Sequence, residues 1–380
     1  MHILHVTPYY PPTWSYGGIP RIVDGLSRAQ KKIGLQVSIL TTDVLNQSQR
    51  NQCPRWREEH GIQILNLPNL SNQLAYKQLF LPLHRGELEK LPQPDIIHMH
   101  GHRHLLNNIA WHYAQQHQIP YLMTTNGTLK RHERWIRLKA IWDRLFSQKI
   151  IDHAQHFIAV SPMDTHIHRQ AGIPASKITH IPNGLDLEEF SPLPKQGRFR
   201  QQYNLDKRPI VAYLGQLSPR KGVLHLIAAC REMTDIQLVI AGNDMGIGAE
   251  VKKQTQNLNH IVQTGLLSGE QRLALLSDAA MLVYPSSNEI FGLSPFEGLL
   301  CGAPAIVSND CGCGQLISKA QAGLLVRYGD IYDIQQKIRS LLHDQQMAKI
   351  MVQRGRSYIQ NHLSFTHIAK QHAELYNRIC

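Results

Sequence analysis

Short apolar runs alternate with amphipathic stretches along this 380-residue chain. In the first half the runs are ILHV, VSILTT, DIIHMH, YLMTTN and FIAVS, and segments such as IVDGLSRAQKKI and LLNNIAWHYAQQH lie between them. Continuous Val, Ile and Leu runs are the signature of strands buried on both faces, and the helical periodicity between them predicts parallel sheets covered by helices. The pattern pauses in a turn-rich stretch from Asn183 to Arg208, then restarts with IVAYLG, IQLVIAG, HIVQTG, MLVYPS and APAIVS. The chain is also longer than one hydrophobic core usually serves. Together these features predict an α/β protein of two Rossmann-like, doubly wound domains, residues 1–187 and 188–361.

Composition narrows the classes. No run is long and apolar enough to cross a bilayer, and no basic start followed by an apolar core and a cleavage site precedes MHILHVTP, so a cytoplasmic protein is expected. The cysteines at 53, 230, 301, 311, 313 and 380 are scattered, and Cys311 and Cys313 lack the two-residue spacer of zinc and redox motifs. That fits a reducing compartment. The formal net charge of +12 points to anionic partners: nucleic acid, a charged membrane face or phosphate-bearing small molecules. No recognised nucleic-acid-binding motif accompanies it.

In open α/β sheets ligands bind beyond the carboxyl ends of the strands. One such loop carries EIFGLSPFE, residues 289–297. Ser294, Pro295 and Glu297 predict a helix start, with Ser294 as N-cap and Glu297 reaching back to its amide. The amides of residues 294 to 296 and the helix dipole would form an anion site suited to phosphate. Glu289 precedes Gly292 on the loop facing that helix end. Carboxylates beside a phosphate site are tolerated when they grip hydroxyl groups, a combination that points to a nucleotide-sugar.

The longer stretch EIFGLSPFEGLLCGAPAI resembles the paired-glutamate motif of retaining glycosyltransferase family four, the glycosyl transferases group 1. YGGIPRIVDGLS, IIHMHG, IPNGLDLEEF and LGQLSPRKGVLHLI extend the likeness over nearly the whole chain. The resemblance implies a GT-B fold with the nucleotide-sugar in a cleft between the two domains. It also implies that the helical stretch from Asp344 ends in a segment, 362–380, that crosses back onto the first domain. Glu297 would hold the ribose hydroxyls and Glu289 the transferred sugar, with Phe291, Gly292 and Leu293 completing that donor-binding loop. IPNGLDLEEF would be a hinge, with a turn at Asn183 and Gly184 fixed by Asp186 and Phe190.

Lys221, in PRKGV after a strand, is the expected cation for the leaving diphosphate, with backbone amides at Gly17 and Gly18 as a further source. The family usually places an arginine where this chain has Gln216, and Arg220 is the candidate replacement. Many relatives carry histidine where this chain has Asn126, which cannot act as a base. The retaining reaction, as the family is understood, needs none, because the leaving phosphate accepts the acceptor proton, so Asn126 is expected to orient a hydroxyl or cap a turn. Of the histidines at 98, 100, 102 and 104, His98 and His100 share a strand face that can chelate, but no nearby carboxylate or cysteine completes a metal set. His100 is instead expected to line the acceptor end of the first sheet. No paired aspartates of the metal-binding DxD type appear, so no metal or other cofactor is expected.

The basic stretch 130–150, with Trp135, Leu138, Trp142, Leu145 and Ile150 opposite Lys130, Arg131, Arg134, Arg137 and Arg144, is a candidate for contact with an anionic membrane. The expected activity is transfer of a sugar from a nucleotide-sugar to a glycan or lipid-linked acceptor in cell-surface polysaccharide biosynthesis. Two alternatives stand beside it. One is a sugar-nucleotide epimerase of the same architecture, which Asn126 argues against. The other is a degenerate homologue that binds without turnover, motivated by Gln216 and Asn126. Nucleotide base, sugar, acceptor, linkage and oligomeric state are not written in these motifs.

Overall fold

The computed structural model describes residues 1–14, 17–46, 49–76, 79–129 and 140–380. It divides into two compact units, Met1–Leu185 with Ser364–Cys380, and Asp186–Leu363.

The first unit is built on an eight-stranded sheet of β1 (His2–Val6), β2 (Gln36–Thr42), β3 (Trp56–Glu59), β4 (Ile62–Leu67), β5 (Ile96–His100), β6 (Tyr121–Thr124), β7 (His156–Ala159) and β8 (Ile178–His180). Their order is β3-β4-β2-β1-β5-β6-β7-β8. The apolar runs named above form β1, β2, β5, β6 and β7. The sequence WREE of β3 carried no strand signal, and β3 is the one antiparallel member, at the edge where a polar face costs nothing. Strand order reverses between β1 and β5, so the loops that follow those two strands diverge and leave a crevice.

The second unit is a six-stranded parallel sheet of β9 (Ile210–Leu214), β10 (Gln237–Ala241), β11 (Ile261–Gly265), β12 (Ala279–Tyr284), β13 (Ala305–Ser308) and β14 (Gly323–Val326), in the order β11-β10-β9-β12-β13-β14. This is the dinucleotide-fold order, with its switch point between β9 and β12. Val211, Tyr213, Leu238, Ile240, Met281, Val283 and Ile306 are buried on one face beneath the helices Val223–Cys230 and Ile331–His343. Each such side chain contributes about 1.5–3 kcal/mol of hydrophobic stabilisation.

Helix Gln345–His362 stays with the second unit, whereas helix Phe365–Ile379 belongs to the first and packs on helix Gly18–Lys32. The expected turn at Asn183 and Gly184 does not use positive φ at either residue. Gly184 is required for closeness instead: a Cβ there would lie 2.3 Å from the ring of Phe365, the first residue of the C-terminal helix. Asp186 accepts from the Glu188 amide at 3.1 Å and starts the short helical turn Leu187–Phe190, in which Phe190 is buried.

Candidate active site

The switch point of the second unit brings together the loops after β9 and β12. Lys221 closes the 3-10 turn Pro219–Lys221, and Gly222 follows with φ 70°. A Cβ on Gly222 would sit 2.0 Å from the Pro285 carbonyl oxygen, so only glycine lets the two loops approach this closely. Ser287 donates its amide to the Arg220 carbonyl at 2.8 Å, sewing them together.

Lys221 is therefore buried, not solvated, although a surface position is the usual fate of lysine. Its ammonium donates to the Tyr284 hydroxyl at 2.6 Å and pairs with Oε2 of Glu289. Arg220 Nη1 lies 3.5 Å from the same oxygen, and the hydroxyls of Tyr284 and Ser286 each donate to it at 3.3 Å. Burial alone would raise the Glu289 carboxyl, but the charges of Lys221 and Arg220 and the hydrogen bonds from Lys221 and Tyr284 hold it below its ordinary range. The loop thus presents an ionised carboxylate and two cations at the ligand end of the sheet. Tyr284 and Ser286 were not singled out in the sequence; their signal was their place at the end of MLVYPSS.

Glu297 is placed differently from the expectation. Helix Ser294–Cys301 has Leu293 as N-cap without a side-chain cap bond, so Ser294 is its first residue and no capping box forms. Pro295 has no N–H, and the Phe296 amide is already donated to the Leu293 carbonyl at 3.0 Å, so the expected row of open amides at 294 to 296 is not there. Glu297, 2% exposed, directs Oε2 to Arg272 Nη1 at 2.7 Å. Phe291 is buried against Phe296, with ring centroids 5.3 Å apart, a packing role. Gly292 has φ 74° and lies between Tyr284 and Glu289. Gln216 sits on the loop after β9, where its carbonyl accepts from the Tyr213 hydroxyl at 2.9 Å.

In the first unit, Gly17 is the N-cap of helix Gly18–Lys32, with φ 93°, and Gly18 opens that helix after β1. Asn126 follows β6 in a left-handed turn, φ 50°, and its amide donates to the Thr124 carbonyl at 3.3 Å. His100 ends β5. It joins a buried histidine group that the HMHGHRH motif shows only in part, because His5 arrives from β1.

Nitrogens of His5, His98 and His100 lie within 4.8 Å of one another, a set that could hold a metal ion. The hydrogen bonds describe another use. His5 Nε2 donates to Gln30 Oε1 at 2.7 Å, and His5 Nδ1 lies 3.0 Å from His100 Nε2. His98 is held between the Tyr376 hydroxyl at 2.8 Å and Thr124 Oγ1 at 2.7 Å. The His98 and His100 rings overlie one another at 4.1 Å and 30°, so their in-plane lone pairs converge poorly. Burial lowers all three, His5 to about 4, and keeps them neutral. His104 Nε2 donates to the His100 carbonyl at 2.9 Å, Asn107 donates to the Gly101 carbonyl at 2.9 Å, and His100 Nδ1, His104 Nδ1 and Asn107 Oδ1 are buried acceptors without a hydrogen-bond partner.

Residues 130–139 of the basic amphipathic stretch, including Trp135 and Leu138, lie outside the described residues. Beyond them, Ile141, Leu145 and Phe146 are exposed while Ile150 is buried, so the apolar positions do not share one packed face. Arg103 grips Asp143 with both carboxylate oxygens, at 2.8 and 2.9 Å, and fastens this segment to the loop after β5.

Comparison with known proteins matches both halves. Residues 16–189 match Glycosyltransferase Family 4, and residues 195–358 match Glycosyl transferases group 1. An α-maltose-1-phosphate synthase of Mycolicibacterium smegmatis is 30% identical over 188 residues, 45% of this chain and 48% of that protein, so this match spans about half the relative's length. A GDP-mannose-dependent α-mannosyltransferase of the same organism is 26% identical over 80% of this chain and 78% of its own. Among solved structures, a sucrose-phosphate synthase of Thermosynechococcus elongatus superposes with a TM-score of 0.79 at 23% identity, covering 99% of this chain and 98% of that one. With two parallel-sheet units of the GT-B type and both halves matched in order, the chain belongs to the group 1 glycosyltransferases of family four.

Proposed function

We propose that this chain moves a sugar, with retention of configuration, from a nucleotide-sugar to a hydroxyl of a glycan or lipid-linked acceptor in polysaccharide biosynthesis, without a catalytic metal. The observation that carries this reading is the convergence of Lys221, Arg220 and Glu289 at the switch point of the second sheet. Charge develops on the diphosphate as the glycosidic bond breaks, and cations fixed in advance lower that barrier. Arg220 takes the part of the arginine that Gln216 replaces. All the protein partners of Glu289 named above fall on Oε2, which leaves Oε1 to accept from a sugar hydroxyl.

Glu297 grips the ribose, and Gly18, opening its helix in the first unit, offers backbone amides to an anion. His100 lines the acceptor side from the end of β5. The amide of Asn126 is turned to its own loop, and the proton of the acceptor hydroxyl passes to the leaving phosphate oxygen. That arrangement also disfavours epimerisation, which needs an acid/base group over the sugar.

Exposed Ile141, Leu145 and Phe146, beside exposed Arg144 and Lys149, support peripheral contact with an anionic bilayer. The activity is tested by thermal shift against UDP-, GDP-, ADP- and dTDP-sugars, followed by assay of free nucleoside diphosphate. A stabilising sugar nucleotide with slow diphosphate release is expected. Stabilisation without release, even with acceptors supplied, means a binder without turnover, and no stabilisation by any donor defeats the proposal.

A further inference from the structure

One buried cation near the candidate donor site has no part in the chemistry described so far. Arg272 lies on helix Gly269–Asp278, whose other buried residues include Leu273, Ala274, Leu275 and Leu276. Its side chain is 10% exposed. Nη1 stands 2.7 Å from Glu297 Oε2, Nη2 pairs with Glu189, and the guanidinium carbon lies 5.9 Å from the centroid of the Phe190 ring. Glu189 and Phe190 belong to the turn Leu187–Phe190, near the start of the second unit.

A carboxylate as buried as that of Glu297 loses its hydration and keeps its charge only if a cation remains beside it. Charge matters for the role proposed for Glu297. A vicinal diol donates two hydrogens, and an ionised carboxylate meets them with two acceptor oxygens, whereas a protonated one spends an oxygen on its own hydrogen. Orientation matters equally, because a free glutamate has rotamers that turn away. The planar guanidinium removes them by binding one oxygen while braced against a second carboxylate and an aromatic ring.

We infer that Arg272 is a positioning residue for ribose recognition: it holds the charge and direction of Glu297 by anchoring it to Glu189 and Phe190. This rests on the reading of Glu297 as the ribose-binding carboxylate, and the test separates the two.

The full chain is titrated calorimetrically with UDP, GDP and ADP and with the 2′,3′-dideoxy form of each. For the nucleotide that binds, the wild type is expected to prefer the ribose form by about tenfold or more, the worth of a hydroxyl bonded to a charged group. Arg272→Leu brings that ratio close to one, and Arg272→Lys restores part of it. A strut that only stabilises the fold would lower the melting temperature and leave the ratio as it was, so an unchanged ratio in Arg272→Leu overturns the inference alone. Should Arg272→Leu fail to fold, Arg272→Gln is read by the same ratio. A wild type that binds none of these nucleotides, or binds ribose and dideoxy forms alike, overturns the role of Glu297 and this inference with it.

Discussion

The Lys221 ammonium lies 2.6 Å from the Tyr284 hydroxyl and pairs with Glu289; Lys221 and Tyr284 are buried between two strand-end loops, with Glu289 partly exposed beside them. Removing one partner of such a pair strands the other charge. Lys221→Ala is expected to cost about 3 kcal/mol of stability and at least ~100-fold in turnover. Chemical denaturation and diphosphate release measure the two effects separately.

Arg220→Ala addresses the substitution at Gln216. If Arg220 supplies the missing cation, its loss lowers turnover by about tenfold or more with little change in stability, since the side chain is 42% exposed. Full activity in Arg220→Ala, beside an inactive Lys221→Ala, would remove Arg220 from the mechanism.

Gly222→Ala tests the junction of the two loops. With φ 70° and a carbonyl oxygen 2.0 Å from the new Cβ, the loops must part. A loss of about 2–4 kcal/mol is expected, with donor affinity falling alongside it. A variant with wild-type melting temperature and donor affinity contradicts the geometry.

The buried histidines make acid stability a prediction. Burial lowers His5, His104 and His372 to about 4 from an ordinary 6.5. The unfolded chain therefore binds more protons than the folded one between those values. Stability is full above about pH 6.5 and is lost as pH falls toward about 4, at up to ~1.4 kcal/mol per pH unit for each ring. Urea midpoints measured from pH 7 to 4 should drop steeply, and a flat profile would show that the rings are not buried neutral.

Leu145→Asp and Ile141→Asp probe the proposed membrane contact. Both side chains are exposed, so the charge costs the fold little, but it opposes insertion into an anionic interface. Cosedimentation with phosphatidylserine-containing liposomes at low salt should fall in each variant at unchanged melting temperature. No sedimentation of the wild type at low salt ends the idea.

The candidate site was legible in the chain where its residues are neighbours. EIFGLSPFE carries its loop, its proline and both glutamates within one stretch, and the strand before it is plain from MLVYPSS. The capping box expected of Ser294 and Glu297 does not form, because the cap pattern is local, whereas Arg272, which takes the Glu297 carboxylate, comes from the preceding helix. In HMHGHRH the face shared by His98 and His100 follows from strand alternation. His5 and Gln30 do not, since they reach that face only through the pairing of β1 with β5 and the packing of the first helix on the sheet.

The order of residues by itself determined the kind of element at each place and the two-sheet class, because hydrophobic period and turn chemistry act over a few neighbouring residues. Tertiary structure alone decided which loops became one site. Lys221 and Glu289 are 68 positions apart and meet because β12 pairs beside β9, a choice made by the packing of the whole sheet. The same packing buries the Lys221 ammonium against the partly exposed Glu289 carboxylate, so that a lysine expected at the surface and a loop glutamate meet as an ion pair.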